Sequence, residues 1–193
     1  MSIENLKIDD AAFTYIDVET TGLSPRTARV CEVAAISFRG TERLATVAEL
    51  VNPGCPIPAE CTRVHGITDE MVKDAPAFAA VAPRLLAALE DSVLVAHNAS
   101  FDTAFLEMEF KRIGLKFPAL RVVDTLVLAR KGWKFKSNRL GNIAAELNIS
   151  SEGWHRALSD VEMTRKILEH FVAAMKNNGA VTVKDILEKG TKK

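Results

Sequence analysis

The sequence predicts an α/β domain on a mixed β-sheet, with three antiparallel strands, then two parallel ones, and α-helices on the faces. Two observations carry this. Three consecutive segments rich in β-branched and aromatic residues open the chain, at 12–18, 30–39 and 43–51. Two short apolar runs at 92–96 and 121–123 then alternate with stretches of helical periodicity. A block of strands followed by β/α alternation makes a mixed sheet with helices packed on it.

Taken in order, Phe13, Tyr15, Ile16 and Val18 form the first strand, and Thr20, Thr21 and Gly22 run it into a turn. Arg39-Gly40-Thr41 is short enough for a hairpin between the second and third strands. Residues 52–68, NPGCPIPAECTRVHGIT, hold three prolines and two glycines and read as a long loop. Thr68 or Asp69 can cap a short helix, and Ala75 to Glu90 repeats Leu, Val and Ala at helical spacing. SVLVA (92–96) reads as a buried strand and Ser100 to Ile113 as a helix ended by Gly114. Arg121 to Val123 is a short strand entering a helix near Asp124. Amphipathic helices follow at Asn138–Leu147 and Ala157–Met175, with a last short one near 180–189. No repeat or low-complexity tract interrupts this pattern, so one domain is expected over residues 1–193.

Lys plus Arg equals Asp plus Glu at 25 each, giving a formal net charge of zero. That excludes bulk attraction to a polyanion, so a nucleic-acid partner must be held locally. Cys31, Cys55 and Cys61 are odd in number and form no C-x-x-C pair, which argues against a disulfide scaffold or a zinc knuckle. A reducing, cytoplasmic setting is expected. The opening MSIENLKIDDAAF lacks the basic and apolar regions of a secretory signal. No window approaches the ~18 apolar residues of a membrane span, and no membrane partner is expected.

The chemistry starts at YIDVETTG. Asp17 and Glu19 stand two apart on a strand, so both point to one face. Two neighbouring carboxylates repel in a partly buried setting unless something cationic sits between them. Asp102, in HNASFD, and Asp160, in HRALSD, fall at the starts of helices. Hard oxygen donors without Cys or paired His favour Mg²⁺ or Mn²⁺ over Zn²⁺. Two such ions can clamp the attacking and leaving oxygens of a phosphoryl transfer. Each piece alone is also explained blandly, an Asp in a first helical turn being a common capping or dipole-stabilising residue.

Together, Asp17-Val-Glu19-Thr-Thr-Gly22, His97-Asn-Ala-Ser-Phe-Asp102, His155-Arg-Ala-Leu-Ser-Asp160 and the loop Arg63-Val-His-Gly-Ile-Thr68 resemble the DEDDh 3′→5′ exonucleases. This is the DnaQ-like group that includes the proofreading subunit of bacterial DNA polymerase III. The resemblance runs from about Ala11 to Ala174 with its motifs in order. It implies a ribonuclease H-like fold, two divalent cations (Mg²⁺ or Mn²⁺) and release of nucleoside 5′-monophosphates from single-stranded 3′ ends, DNA ahead of RNA. Asp17, Glu19, Asp102 and Asp160 would be metal ligands and His155 the general base. Thr20, Thr21 and Gly22 would hold the terminal ribose, with Val64, His65, Ile67, Asn98 and Phe101 as further substrate contacts. Val64, His65 and Ile67 can equally pack their own loop, and Phe101 can be core. Trp154 could shield the site, and Asp124 is expected to hold backbone and not a metal.

The run RKGWKFKSNR (130–139) interleaves five basic residues with Trp133 and Phe135. It can track a single strand by phosphate contact and stacking, or be a solvated loop with an aromatic tucked in. The chain closes on KDILEKGTKK without an apolar clamp-binding peptide, which favours a stand-alone exonuclease over a polymerase-associated one. A polymerase or another replication or repair protein stays a candidate partner. A non-catalytic nucleic-acid-binding module on the same fold and an RNA-trimming exoribonuclease are the competing readings. The His-x4-Asp motif disfavours a ribonuclease H-like endonuclease.

Overall fold

The computed structural model describes residues 2–150 and 155–190. Strands β1 (Ala12–Thr20), β2 (Val30–Arg39) and β3 (Glu42–Leu50) form an antiparallel meander. Strands β4 (Ser92–Ala96) and β5 (Arg121–Asp124) extend it beyond β1 in parallel, giving the order β3-β2-β1-β4-β5. The mixed sheet read from the sequence is the one observed. The helices are α1 (Ala59–His65), α2 (Asp69–Val72), α3 (Phe78–Leu89), α4 (Ser100–Arg112), α5 (Thr125–Gly132), α6 (Leu140–Glu146), α7 (Ala157–Asn177) and α8 (Val183–Gly190).

The period-two alternation of β1 sorts the core into two layers. Phe13 and Tyr15 face α5 to α8, joining Leu128, Ile143, Val161, Ile167 and Phe171. Ile16 and Val18 face α3 and α4, joining Val81, Leu85, Phe105, Leu106 and Phe110. Asp17 and Glu19 continue the Phe13–Tyr15 series, so the pleat aims both at the side covered by α7. β3 is an edge strand, mostly exposed, and two ion pairs strap it to a helix on each face. Arg43 pairs with Glu162 of α7 and Glu49 with Arg84 of α3, both at 2.7 Å.

The loop expected at 52–68 is a correction: it contains α1. Pro58 precedes the first turn, where a fixed φ suits a helix start, and Gly66 at φ 74° closes the end in the left-handed region. Thr68 caps α2 as expected, accepting the Met71 N–H. The expected position of Trp154 lies outside the described residues.

Phe171 of α7 is fully buried, and the Trp133 ring stacks on it with centroids 3.9 Å apart. Phe171→Ala should cost about 3–5 kcal/mol, the usual loss for a deleted core aromatic. The near-ultraviolet signal of Trp133 should weaken in the same variant. Urea unfolding and circular dichroism check both, and a variant as stable as the parent would contradict this account of the layer.

Candidate active site

Three elements meet at the carboxyl ends of β1 and β4. The β1–β4 ladder stops at Tyr15 and Val95, so the next stretch of β1 backbone lacks a strand partner on that side. Asp102, in the first turn of α4, fills the gap by accepting the Val18 N–H at 3.2 Å. Asp160, in the first turn of α7, approaches the same strand from the other layer. Ligand atoms of Asp17, Glu19 and Asp160 all lie within 4.8 Å of one another. Asp102 stands outside that trio but lines the same cleft, of about 830 Å³, as do Asn98, Phe101 and His155.

The acids lack counter-charge. Burial, then repulsion from Asp102, Asp160, Glu19 and Glu32, raises the Asp17 carboxyl well above the usual range. Burial, then Asp160 and Glu32, lifts Glu19 to about 8. Burial also lifts Asp102 to about 8 and Asp160 to about 7, partly offset by the backbone N–H groups that each accepts. The nearby cation, Arg156, is already committed. Its Nη2 donates to Glu32 Oε1 at 2.6 Å and its Nε to both Glu32 oxygens at 3.1 and 3.2 Å. Glu32 Oε2 also accepts the Ala157 N–H at 2.9 Å. Glu32 sits directly across from Glu19 in the β1–β2 register. Among the described residues no cationic side chain pairs with Asp17, Glu19, Asp102 or Asp160, and such a hard, oxygen-only cluster fits a divalent metal ion.

Contrast Glu109, equally buried. It accepts from Arg29 Nε and Nη2 at 2.8 and 3.0 Å, from Val30 N at 3.2 Å and from Arg112 Nη1 at 2.9 Å. Arg112 in turn donates to the Pro25 and Arg26 carbonyls. This satisfied network holds the 21–29 turn on α4 and displays Leu23, 87% exposed, at the cleft.

The substrate candidates divide. Asn98, at φ 68°, is held by its N–H on Asp124 Oδ1 at 3.0 Å. Asp124 also caps α5 through Leu126 N and Val127 N, so it holds backbone as expected. Thr20 and Thr21 use their hydroxyls inside the turn, donating to the Gly22 carbonyl at 2.7 Å and accepting from Arg29 N at 3.0 Å. Added bulk at Gly22 would put a Cβ 3.3 Å from that of Ala28. His65 is buried; its Nδ1 accepts the Ile67 N–H at 3.0 Å, leaving Nε2 to donate to the Thr20 carbonyl at 3.3 Å. Ile67 is fully buried with Cys31, Ile57 and Val72. Of this loop's three candidates, only Val64 presents an exposed side chain.

Sequence reading missed Leu23, Glu32 and Arg156. A single acid inside the otherwise apolar VCEVAAISF was the available signal for Glu32.

The RNase_T family, described as exonuclease, matches residues 14–168. The chain belongs to this exonuclease family. The family bears out the resemblance read from the motifs. Similar curated proteins are PolC-type DNA polymerases III. The one from Thermotoga maritima is 34% identical over 189 residues, 95% of this chain but 14% of the relative. The one from Listeria monocytogenes is 37% identical over 162 residues, 83% and 11% respectively. The chain thus spans about a seventh or less of these relatives' length. Among solved structures, Exonuclease X in complex with 5′ overhanging duplex DNA superposes at a TM-score of 0.73 and 24% identity, covering 93% of this chain and 99% of that one. E. coli Exonuclease I in complex with a dT13 oligonucleotide gives 0.74 and 19%, covering 88% and 42%. These two share the fold. No helix among the described residues is long and apolar enough to cross a membrane.

Raised acids make stability fall with pH. Unfolded carboxylates release their protons near about 4, whereas Glu19, Asp102 and Asp160 hold theirs to about 7 or 8. Their contribution is therefore full below the unfolded value and lost as pH rises through the folded ones. In chelator, the melting temperature should drop between about pH 5 and about pH 9. Mg²⁺ or Mn²⁺ should raise it more at the alkaline end. Scanning calorimetry tests this, and a cation-free protein that gains stability over that window contradicts it.

Proposed function

We propose that this chain is a metal-dependent exonuclease that shortens single-stranded nucleic acid from its 3′ end, DNA in preference to RNA, releasing nucleoside 5′-monophosphates. The observation that carries it is the trio Asp17, Glu19 and Asp160, within 4.8 Å, in a cleft that His155 also lines. Two divalent cations, Mg²⁺ or Mn²⁺, held by Asp17, Glu19, Asp102 and Asp160, would supply the positive charge that the attacking and leaving oxygens of the phosphodiester require.

The chain's own groups do the rest. Asp102 is fixed by the Val18 N–H and Asp160 by the first turn of α7, so both are held stiffly. His155 precedes that helix, its N–H donating to Asp160 Oδ1 at 3.4 Å and its φ at 66°. From there its ring serves as acceptor for the proton of the attacking water. Leu23 and Phe101 offer apolar surface at the cleft against which a terminal base can stack. The Thr20–Gly22 backbone would receive the terminal ribose, a role that fits hydroxyls already committed within the turn. Residues 1–193 act as one exonuclease domain. A setting in DNA replication, with a polymerase as partner, is the reading that the PolC-type relatives support.

The test is a 5′-labelled oligonucleotide, supplied as DNA and as RNA, with 3′-hydroxyl, 3′-phosphate and circular forms. Expected are single-nucleotide steps on the free 3′ end, a block by 3′-phosphate, and loss on chelation restored by Mg²⁺ or Mn²⁺. Cutting of the circle overturns the reading, and binding without hydrolysis makes the chain a binding module. His155→Ala should lower turnover by about 10²–10⁴-fold while Mn²⁺ affinity by titration calorimetry stays near that of the parent. A matching loss of Mn²⁺ affinity would make His155 a ligand instead.

A further inference from the structure

The link from α5 to α6 is unused by the chemistry above, yet it is built. Trp133 and Phe135 both pack on Phe171, with centroids 3.9 and 6.1 Å away. Both are half-buried against the core, with a ring packed on Phe171 in place of a base. Residues 133–135 lie outside helix, and alternation in such a stretch turns Lys134 and Lys136 outward, where both are exposed. The backbone is pinned further along: Lys136 N–H donates to Glu146 Oε1 at 3.0 Å, and the Asn138 carbonyl pairs with His97 Nε2 at 2.9 Å. Arg130 and Arg139, at the two ends, line the catalytic cleft. Among the described residues, the side chains of Arg130, Lys134, Lys136 and Arg139 make no ion pair or hydrogen bond, in a chain of zero net charge.

We infer that this segment is a phosphate rail: Arg130 and Arg139 meet the backbone near the scissile linkage, and Lys134 and Lys136 hold phosphates further toward the 5′ end. The inference rests on the nucleic-acid reading of the cleft. The half-buried aromatics serve as rivets that keep cations on one line, so the strand is gripped without regard to sequence. Arg130 and Arg139 line the same cleft as the carboxylates, and that arrangement draws a phosphodiester toward acids that would otherwise repel it.

The test is Lys134→Gln/Lys136→Gln on a long single-stranded oligodeoxynucleotide and on a dinucleotide, each titrated with salt. Each lost phosphate contact removes about 0.7 from the log–log salt slope on a single strand. The pair should make the slope shallower by about 1.4, and KM on the long substrate should rise several-fold at low salt with kcat unmoved. Dinucleotide turnover should not change, since that substrate is too short to reach the rail. Lys111→Gln/Lys116→Gln, equal in charge and at the far end of α4, should leave both substrates alone. An unaltered salt slope, or an equal loss on the dinucleotide, overturns the rail. Binding measured in chelator gives the same slope comparison without hydrolysis. Failure of the nuclease reading therefore shows as inactive parent protein, and failure of the rail as identical slopes.

Discussion

The ion pair between Glu32 and Arg156 is the joint on which the site depends. It ties the middle strand of the meander to the start of α7, 124 residues later. Glu32 takes three contacts from the guanidinium and one from the Ala157 N–H, so it also closes the amino end of that helix. His155 and Asp160 lie one residue before and four after Arg156, and the joint sets where both stand relative to Asp17 and Glu19. It commits the Arg156 guanidinium to Glu32, so that cation is not spent on the cluster. The result is a site whose acids are left for an added cation, at the expense of the cation-free fold. Glu109 is the contrast, a buried carboxylate matched directly by Arg29 and Arg112.

The turn after β1 shows how a side chain can be important without touching substrate. Thr20, Thr21 and His65 spend their polar groups on one another's backbone or on the turn itself. A β-bulge after Glu19 leaves Cys31 unpaired on β2 and lets the chain swing out toward Leu23. Motif residues here shape the wall of the cleft, and the exposed Leu23 stands at its mouth.

Much of this was legible in the sequence because it rests on short-range rules. The pleat alone put Asp17 and Glu19 on one face, and the strand-then-alternation order gave the sheet. The helix α1 was not legible, since prolines and glycines that punctuate loops also bound helices, at Pro58 and Gly66. Whether Trp133 and Phe135 stack on bases or tuck inward stayed open in the sequence, because alternation with lysines has two faces and does not say which face is wet. Glu32 and Arg156 escaped for a different reason. Their pairing is a contact between distant segments, so the lone acid of the second strand marked Glu32 as odd without naming Arg156 as its partner.

β3 is the edge of the antiparallel half, and an open edge is a template on which another chain can add a strand. Glu42, Arg43 and Glu49 stud this edge with charge, and the shift of register between Ser37 and Phe38 breaks its regular hydrogen-bonding row. Straps from Arg43 to Glu162 and from Glu49 to Arg84 hold it against helices on both faces. A molecule whose acids unsettle it when cation-free is most exposed to self-association while empty. The charges that decorate this peripheral strand disfavour the addition of a further strand, so they guard the edge of a sheet whose centre carries unmatched acids.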